Sequence, residues 1–273
     1  MYYDFEFDGK WLSDFGYMLC TFDSGYGAQT VQSGSKITFN KVKMNGGRHY
    51  SLLGVQYDEC LTTTLNICKD PDCGRWDDNY YITDDDYRDI ARWLNRSEFL
   101  KFRYVDYEDL SAKQCYFNVS FNLNKITLSS RTIGIELNLE TDAPFGYGEQ
   151  ESYVVHATDP RYCYWASVVS DELGHVFPSI EITCLGEGDL TIKNETIDCE
   201  MIVRNCKDGE IVSVNGDTFE ICSSDGNHKL EKDFNFMYLP LANSYGDSNN
   251  KISVSIPCEL KISYTPIIKD TPF

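Results

Sequence analysis

No apolar run in this chain approaches the length of a membrane span. The opening MYYDFEFDGKWLSDF places Asp4, Glu6 and Asp8 where a signal peptide needs an unbroken apolar core, so the chain is expected to be made and folded in a cytoplasm. Basic residues are scarce: 24 Lys and Arg stand against 43 Asp and Glu, a formal charge of −19. A tightly held nucleic acid needs the opposite balance, and an anionic membrane surface is disfavoured for the same reason. Neither a GxSxG nor an HExxH pattern occurs, and His49, His156, His175 and His228 show no metal-ligand spacing. The eleven cysteines include no CxxC pair; the nearest approach is Cys68-x4-Cys73. Cys184, Cys222 and Cys258 fall at apolar strand positions, which favours buried, reduced thiols over a metal cluster. No cofactor is expected.

What is present is β-forming material. Hydrophobic content is 42% and aromatic content 14%, with 19 Tyr and 15 Phe, too apolar for disorder and suited to a pleated, half-buried surface. LTTTLNI (61–67), YFNVSFNL (116–123) and IGIELNL (133–139) alternate apolar and polar residues, with ITFNKV (37–42) and LKFRYV (100–105) as shorter examples. One helix interrupts them, over 83–95. Thr83 and Asp86 have capping-box spacing, three consecutive aspartates suit the positive end of the helix dipole, and Tyr87, Ile90, Ala91 and Leu94 make one apolar face. About three turns cannot stand alone, so this helix must cover a sheet. The fold class is therefore mainly β, with an N-terminal sandwich covered by one α-helix.

TDAPFGYGEQ (141–150) is the best boundary, dividing residues 1–147 from 148–273. Beyond it, short strands recur between Gly-containing turns, as expected of a second sandwich. EIVSVNGDTFEI predicts a hairpin with a type I′ turn at Asn215-Gly216. KISVSIPCELKISY places Ile252, Val254, Ile256, Cys258, Leu260 and Ile262 on one face, and Pro257 argues for a bend or an edge.

Candidates for chemistry are few. His175 and Cys184 could form a nucleophile pair, but Cys184 is in phase with the apolar Ile180 and Ile182. Glu187 and Asp189 could be paired carboxylates, but they flank a glycine in a turn. Asp77, Asp78 and Asp84 to Asp86 lack the spacing of a calcium loop. Tyr162, Tyr164 and Trp165 in RYCYWASVV either anchor a strand in the core or offer aromatic faces to a carbohydrate.

In combination, several segments resemble the distal tail protein family of phages with non-contractile tails. They are FEFDGKWLSDFGYML with its Asp14-Phe15-Gly16 step, ITDDDYRDIARWLNRSEFLKFRY with Trp93-Leu94, APFGYG, FPSIEITCLGEGDLTI and CKDGEIVSVNGDTFEI. The resemblance implies a first domain that forms a homo-hexameric ring at the virion tail tip, and a galectin-like second domain. It implies a structural protein, not an enzyme. Its partners would be the tail tube protein and tail-tip or baseplate proteins, including a tail-associated lysin or fibre. DNA would pass through the ring without being held, and acidic residues of the first domain are expected to line the bore. The family's other implied role is a carbohydrate-binding host-adhesion protein.

Overall fold

The computed structural model describes residues 4–22, 36–57, 59–74, 80–105, 115–246 and 248–269. The chain divides into two compact units, Met1–Gly148 with Ile268–Phe273, and Glu149–Ile267.

The first unit is built on strands β1 (Asp4–Phe7), β2 (Lys10–Trp11), β3 (Tyr17–Leu19), β6 (Thr62–Lys69), β7 (Leu100–Val105), β8 (Phe117–Leu128) and β9 (Arg131–Thr141). They form one antiparallel sheet in the order β2-β1-β7-β8-β9-β6-β3. Its two edge strands are consecutive in the chain. Seven flat strands would set those edges about 29 Å apart, whereas the link Leu12–Gly16 reaches at most about 21 Å. The sheet therefore curls until its edges approach, and its two layers come from one continuous sheet. Within the link, Ser13–Phe15 forms a 3-10 turn closed by Gly16 at φ 75°, with the Gly16 N–H donating to the Ser13 carbonyl. Buried Asp4 holds this turn by accepting from Ser13 Oγ at 2.6 Å.

Helix α1 (Asp84–Leu94) starts at the expected capping box: Asp86 N–H donates to Thr83 Oγ1 and Thr83 N–H to Asp86 Oδ2. Ile90, Trp93 and Leu94 are buried, while Tyr87 and Ala91 are half-buried. Trp93 widens the face read from the sequence. Its ring stacks on Phe15 at 4.3 Å and Phe5 at 5.9 Å, and its indole N–H donates to the Phe7 carbonyl at 3.1 Å. The inward row Phe117, Val119 and Phe121 of β8 completes this core, with Ile135, Leu137 and Leu139 of β9. Strands β4 (Ile37–Lys43) and β5 (Tyr50–Tyr57) form a separate two-stranded ribbon. The short strand β10 (Gly146–Tyr147) bridges to Tyr116, whose ring carries the Lys101 ammonium at 4.0 Å.

In the second unit, β11 (Glu151–Ala157), β14 (Ser179–Cys184), β17 (Ile211–Val214), β18 (Ile221–Ser223) and β21 (Cys258–Tyr264) form a five-stranded sheet. A four-stranded sheet joins β12 (Tyr164–Ser167), β20 (Asn249–Val254), β15 (Gly188–Asn194) and β16 (Cys199–Cys206). Inward residues of both sheets make one core, so the unit is a β-sandwich. A third pairing joins β13 (Gly174–Val176) to β19 (Leu241–Asn243), and α2 (Leu230–Asp233) is a single helical turn.

The segment 251–264 has the inward face expected, and the bend that Pro257 argued for falls at Ser255–Pro257, so its halves lie in different sheets. Two sequence expectations change here. The hairpin at 211–223 exists, yet it has no two-residue turn: Val214 pairs with Ile221, leaving six residues between the strands. Asn215 organises this loop by accepting from the N–H groups of Asp217 and Thr218. Gly216 is required there because a Cβ would lie 2.0 Å from the Phe177 carbonyl oxygen, so close backbone approach replaces the expected positive φ. Cys184 and Cys258 are buried as expected, but Cys222 is exposed on the outer face of β18.

Candidate interaction surfaces

The β4–β5 ribbon gathers many exposed apolar residues of the first unit. Ile37 pairs with Tyr57, Phe39 with Val55 and Lys41 with Leu52, across a bulge between Asn40 and Lys41. Ile37, Phe39, Val42, Met44, Tyr50, Leu52, Leu53 and Val55 are all exposed, Leu53 to 69%. Lys41 lies 5.5 Å from the Phe39 ring and Lys43 5.8 Å from that of Tyr50, leaving cationic groups among the apolar ones. A two-stranded ribbon is marginal in water, and a surface this apolar normally meets a partner.

The residues singled out for carbohydrate contact are not gathered into one platform. Trp165 is 65% exposed on edge strand β12 and Tyr162 is 63% exposed on the preceding turn. Tyr164 is half-buried, and its hydroxyl accepts from the Asp159 N–H at 3.0 Å and donates to the Asp159 carbonyl at 3.1 Å. Neighbouring strand residues point to opposite faces, so Tyr164 and Trp165 cannot present their rings together. Ala166 and Val168, not Trp165, face the core.

The catalytic candidates are similarly dispersed. His175 pairs with Ala242 between β13 and β19, while Cys184 lies buried in β14. Asp189 fixes backbone, its carboxylate accepting from the Asn205 N–H at 3.0 Å. Asp77 and Asp78 lie outside the described residues. Among the described residues, no three His, Cys, Asp or Glu side chains stand together as a metal site, and no helix is long and apolar enough to cross a membrane.

Sequence reasoning missed one buried polar cluster. The His228 Nδ1 contacts Glu210 Oε1, to which Ser223 Oγ also donates, and His228 Nε2 faces Asp233 Oδ2 at 3.6 Å. Burial pushes the imidazole pKa down, but Glu210 outweighs it and holds His228 above its ordinary value. Burial likewise pushes Glu210 up, and the hydrogen bonds from His228, Ser223 and the Lys207 N–H bring it below. No spacing rule links residues 210, 223, 228 and 233; only the closure of two loops brings them together.

Residues 1–143 match the family model described as phage tail protein N-terminal domain, and residues 145–264 the one described as phage tail C-terminal domain. No curated protein sequence matches. Among solved structures, the Dit protein (gp 19.1) of phage SPP1 is similar in fold at a TM-score of 0.62 and 11% identity. The similarity covers 97% of this chain and 99% of that one, which is described as a paradigm of the hub adsorption apparatus in phages infecting Gram-positive bacteria.

Proposed function

The chain belongs to a family of phage tail proteins, and we propose from this premise that it acts as the distal-tail hub of its particle. In this reading six copies close into a ring through their first units, at the virion tail tip. The ring joins the tail tube protein to tip or baseplate proteins such as a tail-associated lysin or fibre. The second unit is the galectin-like module, and the protein acts by assembly, without catalysing a reaction.

The observation that carries the reading is the β4–β5 ribbon. Its exposed apolar residues suit a heterologous contact with a second copy, and head-to-tail contacts generate rings when the rotation closes. Phe39→Asp with Leu52→Asp, in concentrated protein viewed by negative-stain microscopy, tests this. The parent protein is expected to give six-fold rings and the variant monomers of unchanged melting temperature. Rings that persist in the variant would rule out the ribbon as the joint.

The charge of −19 per copy supports a bore lined by acidic residues of the first unit. Screening confines their repulsion to phosphates within about 8 Å, enough to keep passing DNA from sticking. A ring with a neutral or basic bore would reject this part. The exposed rings of Tyr162 and Trp165 favour a second reading, carbohydrate contact during host adhesion. Binding to cell-wall glycans that is lost in Trp165→Ala would support it, and silence across such glycans would count against it.

A further inference from the structure

Strands β3 and β6 pair antiparallel with Met18 opposite Cys68 and Leu19 opposite Ile67, and the Cys20 N–H donates to the Asn66 carbonyl at 2.9 Å. Cys20 and Cys68 therefore lie diagonally on one face of this pair, the face turned away from the buried Ile67 and Lys69. The register makes the two side chains neighbours across the strand pair. Both are half-buried. Cys68 lines a groove of about 640 Å³ with Met18, Pro71, Tyr80, Tyr81 and Ile133, room enough for a small molecule beside it.

We propose that Cys20 and Cys68 are a redox-active pair that closes into a cross-strand disulfide on meeting a low-molecular-weight disulfide. The Cys68 thiolate attacks one sulfur of the small disulfide, whose S–S bond breaks and releases one small thiol. The Cys20 thiolate then attacks the Cys68 sulfur of the mixed disulfide, forming the Cys20–Cys68 bond and expelling the second small thiol. The two protein thiol protons end on the two released thiols. The protein pair loses two electrons and the small disulfide gains them. The order of attack follows from access: Cys68 lines the groove, and Cys20 is not among its lining residues. Cys20 also follows a three-residue edge strand, where the backbone shift needed to close the bond is cheapest. The consequence is a staple between β3 and β6, absent while the protein is in a reducing cytoplasm and formed outside it.

Two features make the pair distinctive. Cys184 and Cys206 lie in the core of the second unit, where an oxidant cannot reach them in the folded state. Cys73, Cys163 and Cys222 are exposed, so they control for simple accessibility. The test is to incubate the full chain with oxidised glutathione, alkylate the remaining free thiols after denaturation and map the peptides by mass. The expected product joins the Cys20 and Cys68 peptides, with Cys184 and Cys206 alkylated. In Cys20→Ser, glutathione is expected to stay trapped on Cys68. The inference is overturned if Cys68 in the parent chain keeps glutathione or bonds another cysteine. It is equally overturned if Cys20 and Cys68 both remain free while the exposed cysteines react.

Discussion

Lys69 Nζ lies 2.8 Å from Asp86 Oδ2, both groups largely withdrawn from solvent, so a buried cation at the end of β6 is held by the third residue of α1. The same carboxylate completes the capping box, and one side chain thus fixes the start of the helix and ties it to the sheet.

Removing that carboxylate breaks a buried ion pair, and Asp86→Asn is expected to cost about 3 kcal/mol at neutral pH. Burial pushes the Asp86 carboxyl pKa up, but the Lys69 and Thr83 hydrogen bonds outweigh it and hold it below its ordinary 3.8. A depressed carboxylate contributes stability that is present above its unfolded value and lost as pH falls through the folded one. Melting curves between pH 5 and pH 2 should therefore be flatter for Asp86→Asn than for the parent chain. Parallel curves would show that Asp86 titrates alike in both states.

The His228 cluster makes the opposite prediction. Because the folded His228 pKa is raised above 6.5, its contribution is complete below that value and disappears as pH rises through the folded one. Glu210, held below 4.5, loses its contribution only in acid. The second unit should therefore be most stable between these limits and weaken in mild alkali. His228→Gln is expected to lower the melting temperature at pH 6 and to abolish the alkaline slope. An unchanged slope would place its origin elsewhere.

Gly216→Ala tests the wide hairpin loop. The added methyl meets backbone, the Phe177 carbonyl oxygen at 2.0 Å and the Pro178 carbonyl carbon at 2.6 Å, which no side-chain rotation relieves. A loss of about 3 kcal/mol is expected from such overpacking, measured by urea denaturation. Tolerance of alanine would mean that the loop stands off from Phe177.

Much of this architecture is legible because it depends on neighbours in sequence. The capping box needs only Thr83 and Asp86, and the alternation in YFNVSFNL alone orients β8. The misses have a common cause in long-range contact. Asn215-Gly216 reads as a tight turn because φ > 0 is the usual need for glycine, whereas here Phe177, nearly forty positions earlier, crowds it. Trp165 reads first as a core anchor yet stands exposed, since strand periodicity cannot say which phase of an edge strand is covered. Lys69 looks like an ordinary strand-end lysine until α1 is placed over it. The ribbon of exposed apolar residues is invisible for a related reason: β4 and β5 carry the composition of a core, yet most of their residues are exposed.

The helix cover itself rests on Trp93. Its ring is 5% exposed and touches Phe5, Phe7 and Phe15, which come from strand β1 and the 3-10 turn at the sheet's joined edges. Trp93→Ala should cost about 3–5 kcal/mol through lost burial and the cavity left behind. Trp93→Phe keeps most of the ring packing but leaves the Phe7 carbonyl without its indole donor, and a loss of about 1–2 kcal/mol is expected. The two substitutions separate packing from hydrogen bonding. If packing dominates, the alanine variant should expose the amides of β1 and the link Leu12–Gly16 to hydrogen exchange together, because one ring holds both. The phenylalanine variant should leave them protected. Equal exchange in both variants would mean that the indole N–H, not the aromatic surface, closes the curled sheet beneath the helix.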